Sequence, residues 1–182
     1  MHVDERLATS PRACRDVTPD EAGTGPASGI PGTITTVHRY ELPLPREEVW
    51  KLISDVSQYR TWWPWLRAFD GVALTAGDEW RCEVQPPVPY PVRFGVVIEH
   101  VEVATLVRAT VEGDVVGVAT LTLDDADTGC TATLDSSLAP GNRALGLVSR
   151  FAGPIARFGH DWVLDSGARQ FIARAVDPLV GD

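Results

Sequence analysis

The sequence lacks several features that would identify a chemistry directly. Its 182 residues contain only three cysteines, Cys14, Cys82 and Cys130. Their odd number and wide spacing favour neither a disulfide framework nor a metal site. The four histidines are also scattered without metal-ligand spacing, so we expect no metal and no other cofactor. This cysteine usage is typical of a reducing compartment, and we predict a cytoplasmic location.

The short catalytic signatures are missing as well. The sequence contains no GxSxG, HExxH, GxGxxG or CxxC segment and no P-loop. Nucleophilic, metal-assisted and dinucleotide-dependent chemistries are therefore not expected.

Positive charge and long hydrophobic runs are both scarce. Sixteen basic residues stand against 25 acidic ones, a net charge of -9. Such a chain repels polyphosphate and anionic surfaces, so we exclude nucleic acid as a partner. The longest uncharged stretch, residues 22–37, is too short and too rich in Gly, Pro, Thr and Ser for a membrane-spanning helix. Asp4 and Glu5 stand where a signal peptide would be basic, so none is expected.

What is present is the composition of an ordinary folded domain, 44% hydrophobic and 23% charged. Residues 1–32 have little periodic apolar content and end in AGTGPASGIPG. Such a segment cannot bury enough apolar surface to offset its ordering entropy, so we predict a disordered N-terminal tail. Residues 33–178 are predicted to form one ligand-binding domain.

The predicted domain begins with a strand, ITTVHRYEL, followed by two short helices. Pro45 suits the first turn of the first helix, and Pro64 stops the second. The apolar stripe of the first helix consists of Val49, Leu52, Ile53 and Val56.

Several strand-like segments follow without a long helix between them. In DEWRCEV, three apolar residues alternate with charged ones, as in a half-buried strand. RFGVVIEHV, VATLVRATVEG, DVVGVATLTLDD and CTATLDSSL continue the series, which predicts an antiparallel meander. From residue 142 the pattern becomes a single long helix that reaches Val176 and is kinked at Pro154.

Three tryptophans crowd the segment RTWWPWLRAF: Trp62, Trp63 and Trp65. We expect them where the short helices meet the long helix, against Trp162. Because indole rings are large and apolar with one polar N–H, the cluster suits a core plug or the end wall of a cavity. A docking patch on the surface is the alternative.

The order of these elements resembles the START/Bet v 1-like (SRPBCC) superfamily. Within it, the sequence is similar to the bacterial polyketide cyclase/dehydrase and lipid-transport group. The segments that carry the resemblance are LPLPREEVWKLISDVSQYRTWWPWL, GDEWRCEV with PPVPYPVRF, EGDVVGVATLTL and FGHDWVLDSGARQFIARA. The resemblance implies an α+β helix-grip fold: a curved antiparallel sheet of about seven strands wraps a long C-terminal helix, with two short helices after the first strand.

The more apolar face of each strand is taken as the inner face of that sheet. Small inward residues underfill a packed core and so indicate room for a ligand. On the long helix, small residues have two interpretations, room for a ligand or close approach to the sheet. His100 falls on the inner face by alternation, near a strand end. The predicted ligand-binding residues are Trp63, Trp80, Cys82, Phe94, Val96, Ile98, Val107, Ala109, Gly117, Ala119, Ala132, Leu134, Ala156 and His160.

The predicted function is binding of a small hydrophobic molecule of lipid, isoprenoid or polyketide type. The alternative is a polyketide cyclase/aromatase or dehydratase, which needs only a cavity and a few acid-base groups. Candidate catalytic residues are His160, Arg81, Arg108 and Tyr90, although each also fits an ordinary structural position. A ligand-free interaction domain is the second alternative. The sequence indicates no oligomeric state.

Overall fold

The computed structural model describes residues 32–87, 90–141 and 153–180, and within the last range the side chains of 162–179. Nearly all of the predicted disordered tail lies outside the described residues. So do residues 142–152, the predicted start of the long helix.

Seven strands form one antiparallel sheet in the described part of the chain. Their bounds are β1 Ile34–Leu42, β2 Leu66–Phe69, β3 Glu79–Val84, β4 Val92–Glu102, β5 Leu106–Gly113, β6 Val115–Ala126 and β7 Gly129–Pro140. The order across the sheet is β1-β7-β6-β5-β4-β3-β2, with every neighbouring pair antiparallel. Strands β3 to β7 are therefore the predicted meander, β2 adds one strand beside β3, and β1 pairs with β7 at the far edge.

Short helices follow the first strand, and a long helix follows the last. Their bounds are α1 Arg46–Ser54, a 3₁₀ turn Val56–Gln58, α2 Tyr59–Trp62, α3 Gly153–Phe171, a π-helical turn Ile172–Val176 and α4 Asp177–Val180. This arrangement confirms the helix-grip fold. The kink expected at Pro154 concerns residues before α3 that are not described.

Helix α1 and the 3₁₀ turn that follows it bury the predicted apolar stripe. Val49 and Val56 are almost fully buried, and Leu52 and Ile53 pack against the same hydrophobic cluster. The helix begins after Pro45, whose missing N–H costs nothing at a helix start, and Glu47 and Glu48 lie in its first turn. α1 therefore covers one part of the inner face of the sheet.

Strand β2 was not predicted from the sequence. It spans four residues and contains a register irregularity between Leu66 and Ala68. A strand of four residues that begins two residues after Pro64 is too short to show the alternation of apolar and polar side chains by which strands are recognised.

The alternation of β4 changes at a bulge between Ile98 and His100. Ile98 is 1% exposed on the inner face, but His100 pairs with the exposed Arg108. Val101 takes the inward place opposite Val107. The prediction of His100 on the inner face is therefore wrong, because the extra residue of the bulge shifts the alternation by one.

Candidate functional site

The described residues surround a cavity of about 360 Å³ between the inner face of the sheet, the short helices and α3. This volume lies in the range of roughly 300–1,000 Å³ that small-molecule sites occupy. None of the described lining side chains is charged. They are Tyr40, Leu42, Val49, Ile53, Tyr59, Trp63, Trp65, Leu74, Trp80, Val96, Ile98, Val107, Ala109, Ala119, Leu121, Leu123, Ala132, Leu134, Val163, Leu164, Gly167, Ala168, Phe171 and Ile172.

The middle of the sheet contributes small side chains to this wall. Ala109 of β5 lies directly opposite Ala119 of β6, and Ala132 of β7 lies opposite Leu123. Alanines in this position leave volume that larger side chains would fill. Nine residues predicted to contact a ligand line the cavity: Trp63, Trp80, Val96, Ile98, Val107, Ala109, Ala119, Ala132 and Leu134.

Cys82 and Phe94 do not line the cavity. They lie opposite each other on β3 and β4 and pack against the hydrophobic core beside it. Burial raises the pKa of the Cys82 thiol to about 12, which keeps it protonated and unreactive. Ala156 and His160 belong to α3, but their side chains are outside the described residues, so their predicted roles stay predictions.

Gly117 does not line the cavity either. A backbone contact with the neighbouring strand explains why this residue is a glycine. Its φ is 147°, and a Cβ atom added there would lie 2.0 Å from the carbonyl oxygen of Ser137. The neighbouring strand therefore approaches too closely for any side chain. The glycine serves the β6–β7 contact rather than the volume of the cavity.

The described catalytic candidates stay outside the cavity. The Arg81 side chain is 87% exposed, with an Nη1–Oδ2 distance of 3.5 Å to Asp70. Arg108 is exposed on the outer face, and Tyr90 is half-buried in the connector between β3 and β4. Neither is among the lining residues.

The tryptophan cluster divides between the core and the cavity wall. Trp62 is 5% exposed and packs edge-on against Phe171, with ring centroids 5.3 Å apart. Trp63 stacks on Trp65 at 6.1 Å, and Trp65 meets Trp162 at 6.2 Å. The predicted position against Trp162 is confirmed. One ring plugs the core, and the next two form an end wall.

Three polar groups of the wall have partners within the protein. The Tyr59 hydroxyl donates to the Ile53 carbonyl oxygen at 2.6 Å. Trp63 Nε1 donates to the Gly167 carbonyl oxygen at 2.9 Å, which ties the end wall to α3. Trp80 Nε1 is shared between the Ala73 carbonyl oxygen and Asp78 Oδ2, both at 2.9 Å.

Two polar groups of the wall were not identified from the sequence. The Tyr40 hydroxyl and Trp65 Nε1 are buried and find no hydrogen-bond partner in the described ranges. Burial raises the pKa of Tyr40, the negative charge of Asp165 raises it further, and the positive charge of Arg169 offsets a smaller part, so the phenol stays a neutral donor. The alternation of β1, where Tyr40 shares the inner face with Leu42, was the available signal.

The C-terminal helix contributes a strip of the wall that the list of predicted ligand-binding residues does not include. Its members are Val163, Leu164, Gly167, Ala168, Phe171 and Ile172. A Cβ at Gly167 would lie 3.6 Å from a ring carbon of Trp65, an ordinary contact distance, so this part of the strip lies directly against the end wall. The spacing of these residues, three to four apart, was the signal for this face.

The described residues contain no cluster of three or more His, Cys, Asp or Glu side chains that could hold a metal ion. Cys82 and Cys130 form no disulfide bond. No helix in the described part of the chain is long and apolar enough to cross a membrane.

Comparisons with solved structures find the same fold. TTHA0849 from Thermus thermophilus is 16% identical, with a TM-score of 0.59, and the match covers 79% of this chain and 99% of that one. Ms6760 from Mycobacterium smegmatis is 15% identical, with a TM-score of 0.59 and coverage of 79% and 91%. Ara h 8.0201 is 11% identical, with a TM-score of 0.52 and coverage of 78% and 99%. At these identities the likeness concerns the fold alone.

A family model gives more than the fold. No curated protein matches the sequence significantly. The family model described as polyketide cyclase / dehydrase and lipid transport matches residues 33–176, nearly the whole predicted domain. The chain therefore belongs to the polyketide cyclase/dehydrase and lipid-transport family.

Proposed function

We propose that this domain binds a small hydrophobic molecule of lipid, isoprenoid or polyketide type in the cavity between the sheet and α3. One observation carries the proposal: a space of about 360 Å³ in whose lining the described residues place no charged side chain. Natural interiors are close-packed, so an apolar space of this size is a favourable site for an apolar molecule. The family match supports the same class of ligand.

Binding is favoured over acid-base catalysis by the chemistry of the described wall. A cyclase needs a group that gives or takes a proton near neutral pH. Among the lining residues whose side chains are described, only Tyr40 and Tyr59 titrate, and burial raises the pKa of both phenols. Neither is suited to proton transfer near neutral pH. His160 stays the candidate for a catalytic version of this site.

The extent of the domain and its setting belong to the same proposal. We assign ligand binding to residues 33–178, a range that the family match over 33–176 supports. The net charge of -9 disfavours nucleic acid as a partner. The free thiols of Cys82 and Cys130 fit the proposed cytoplasmic location.

A substitution that fills the cavity tests the proposal. Ala119 lines the cavity, whereas its neighbour Val118 is 49% exposed on the outer face of β6. We expect wild type and Val118→Phe to bind the neutral probe N-phenyl-1-naphthylamine with similar affinity. Ala119→Phe should bind it at least tenfold more weakly, because the added ring occupies the ligand space.

Probe fluorescence gives the affinity, and circular dichroism confirms that both variants fold. Failure of the wild type to bind the probe would contradict the proposal, as would equal binding by the two variants. If the probe results support the proposal, native mass spectrometry of gently purified protein, followed by denaturation, identifies the natural ligand from the mass that is released.

A further inference from the structure

Two hydrogen-bond donors in the cavity wall are left without a partner by the described residues. The Tyr40 hydroxyl and Trp65 Nε1 are both buried, and both side chains line the cavity. An unpaired buried polar group keeps the full cost of losing its water, so folded proteins retain few of them. A bound molecule with a suitable acceptor would remove that cost.

The other polar groups in the wall make these two stand apart. Tyr59, Trp63 and Trp80 each donate to a backbone carbonyl oxygen at 2.6–2.9 Å. The hydrogen-bonding capacity of these three donors is therefore satisfied within the protein itself. The two remaining donors belong to the surface that a ligand would touch.

The two donors lie on opposite sides of the site. Tyr40 is on β1, one edge strand of the sheet, and Trp65 immediately precedes β2, the other edge strand. Both edges flank α3: Trp65 packs against Trp162, and His38 Nδ1, two residues before Tyr40, lies 3.7 Å from Asp165 Oδ1. A ligand that spans the cavity can therefore meet one donor at each side of the helix.

The charge of the described wall favours an uncharged acceptor. The two donors are neutral, and none of the lining side chains in the described ranges is cationic. A buried carboxylate or phosphate would lose its hydration without gaining a counter-charge from the wall, which costs far more than burying a ketone, ester or ether oxygen. Near Tyr40 the negative charge of Asp165 acts more strongly than the positive charge of Arg169, so this side offers an anion no net attraction.

We propose that the cavity takes a mainly apolar, uncharged molecule whose carbonyl-type oxygens accept hydrogen bonds from the Tyr40 hydroxyl and the Trp65 indole N–H. This inference rests on the proposed function, because it assigns the polar contacts of the same ligand. It divides the wall into a large apolar surface that gives affinity and two donors that select for oxygen.

A matched pair of probes tests the assignment. The ketone 2-acetylnaphthalene and the alkene 2-isopropenylnaphthalene have nearly the same shape, but only the ketone can accept a hydrogen bond. Binding of both is measured by calorimetry for wild type, Tyr40→Phe, Trp65→Phe and the double variant. The ratio of the two affinities cancels effects of the smaller ring at position 65 that act on both probes alike.

The expected result is a ketone-to-alkene affinity ratio about two- to tenfold lower in the double variant than in wild type, the net worth of a hydrogen bond. The single variants then show which donor contributes. The infrared carbonyl stretch of the bound ketone should lie at lower wavenumber in wild type than in the double variant, because a hydrogen bond weakens the C=O bond.

Two failures are distinguishable. If both probes bind but the ratio and the carbonyl stretch are the same in wild type and the double variant, the donors do not contact the ligand and this inference is wrong. If neither probe binds wild type, the proposed function itself fails, and the inference with it.

Discussion

The two tyrosines of the cavity wall, Tyr40 and Tyr59, differ in whether the hydroxyl group has a hydrogen-bond partner. Tyr59 is 8% exposed, and its ring contacts Trp62, Trp63, Phe69 and Trp80. Its hydroxyl gives the Ile53 carbonyl oxygen at the end of α1 a partner. Tyr40 has a hydroxyl of the same chemistry, but no described residue accepts from it. One hydroxyl is bonded within the protein, and the other has no described partner.

We therefore expect opposite effects of the same substitution on stability. Tyr59→Phe removes the partner of a buried carbonyl group, so it should lower the free energy of unfolding by about 1–3 kcal/mol. Tyr40→Phe removes a hydroxyl without a described partner, so the free energy of unfolding should stay the same or increase. Urea denaturation of the ligand-free proteins measures both. A clear loss of stability in Tyr40→Phe would mean that its hydroxyl is bonded within the protein.

At the scale of elements, the close packing of β6 on β7 depends on one position. The backbone of Gly117 has φ of 147°, and the Ser137 carbonyl oxygen occupies the place of a side chain. Gly95 in β4 is a matched control, because a Cβ there would lie 3.7 Å or more from its neighbours, an ordinary contact distance.

We expect Gly117→Ala to lower the free energy of unfolding by about 2 kcal/mol or more, through both backbone strain and steric overlap. Gly95→Ala should change it by less than about 1 kcal/mol, since alanine fits and restricts the unfolded chain. Urea denaturation followed by circular dichroism compares the two. Equal effects in the two variants would show that the β6–β7 approach is looser than the distances indicate.

Elements were predictable from the sequence where their periodicity was long enough. The apolar stripe of α1 was visible because it repeats over two helical turns. The alternation of the longer strands was visible because it repeats over several residue pairs. Strand β2 was too short for a period, and the bulge after Ile98 inserts one residue that no local pattern announces. The link between α2 and the C-terminal segment, where Arg174 donates to the carbonyl oxygens of Thr61 and Trp62, joins residues far apart in sequence.

At the scale of the whole molecule, stability in acid depends on carboxylates that the fold holds ionised. Asp78 Oδ2 accepts hydrogen bonds from the Ala73 backbone N–H at 2.8 Å and from Trp80 Nε1 at 2.9 Å. These bonds, the backbone one first, hold the pKa of the Asp78 carboxyl below its ordinary value. A lowered folded-state pKa stabilises the protein above the unfolded-state pKa of about 4, and this contribution is lost as the pH falls through the folded value.

We expect Asp78→Asn to be less stable than wild type at pH 7 and to lose less stability between pH 5 and pH 2.5. The amide oxygen can still accept both hydrogen bonds, but the side chain no longer titrates. Urea midpoints across that range measure the slope, with Asp127→Asn in the exposed β6–β7 turn as a control. An unchanged slope in Asp78→Asn would assign the acid sensitivity to other carboxylates.

The candidate site was only partly predictable, for a reason that belongs to the whole molecule. The inward faces of β4 to β7 could be inferred strand by strand, and alanines such as Ala109 and Ala119 indicated unfilled volume. Whether a polar atom of the wall has a partner depends on residues that only the folded chain brings together. Trp63 and Trp65 are two residues apart, yet one donates to Gly167 and the other has no described acceptor.

The order of elements along the chain has a consequence for biosynthesis. All seven strands precede α3, so the inner face of the sheet leaves the ribosome before the helix that covers it. Until α3 docks, Trp80, Val96 and Leu121 lie on an open, concave apolar surface rather than in a cavity. Such a surface is prone to aggregation during synthesis. A hydrophobic molecule bound to this concave surface at that stage would cover the apolar side chains and oppose aggregation. The helix would then dock onto a ligand that is already bound.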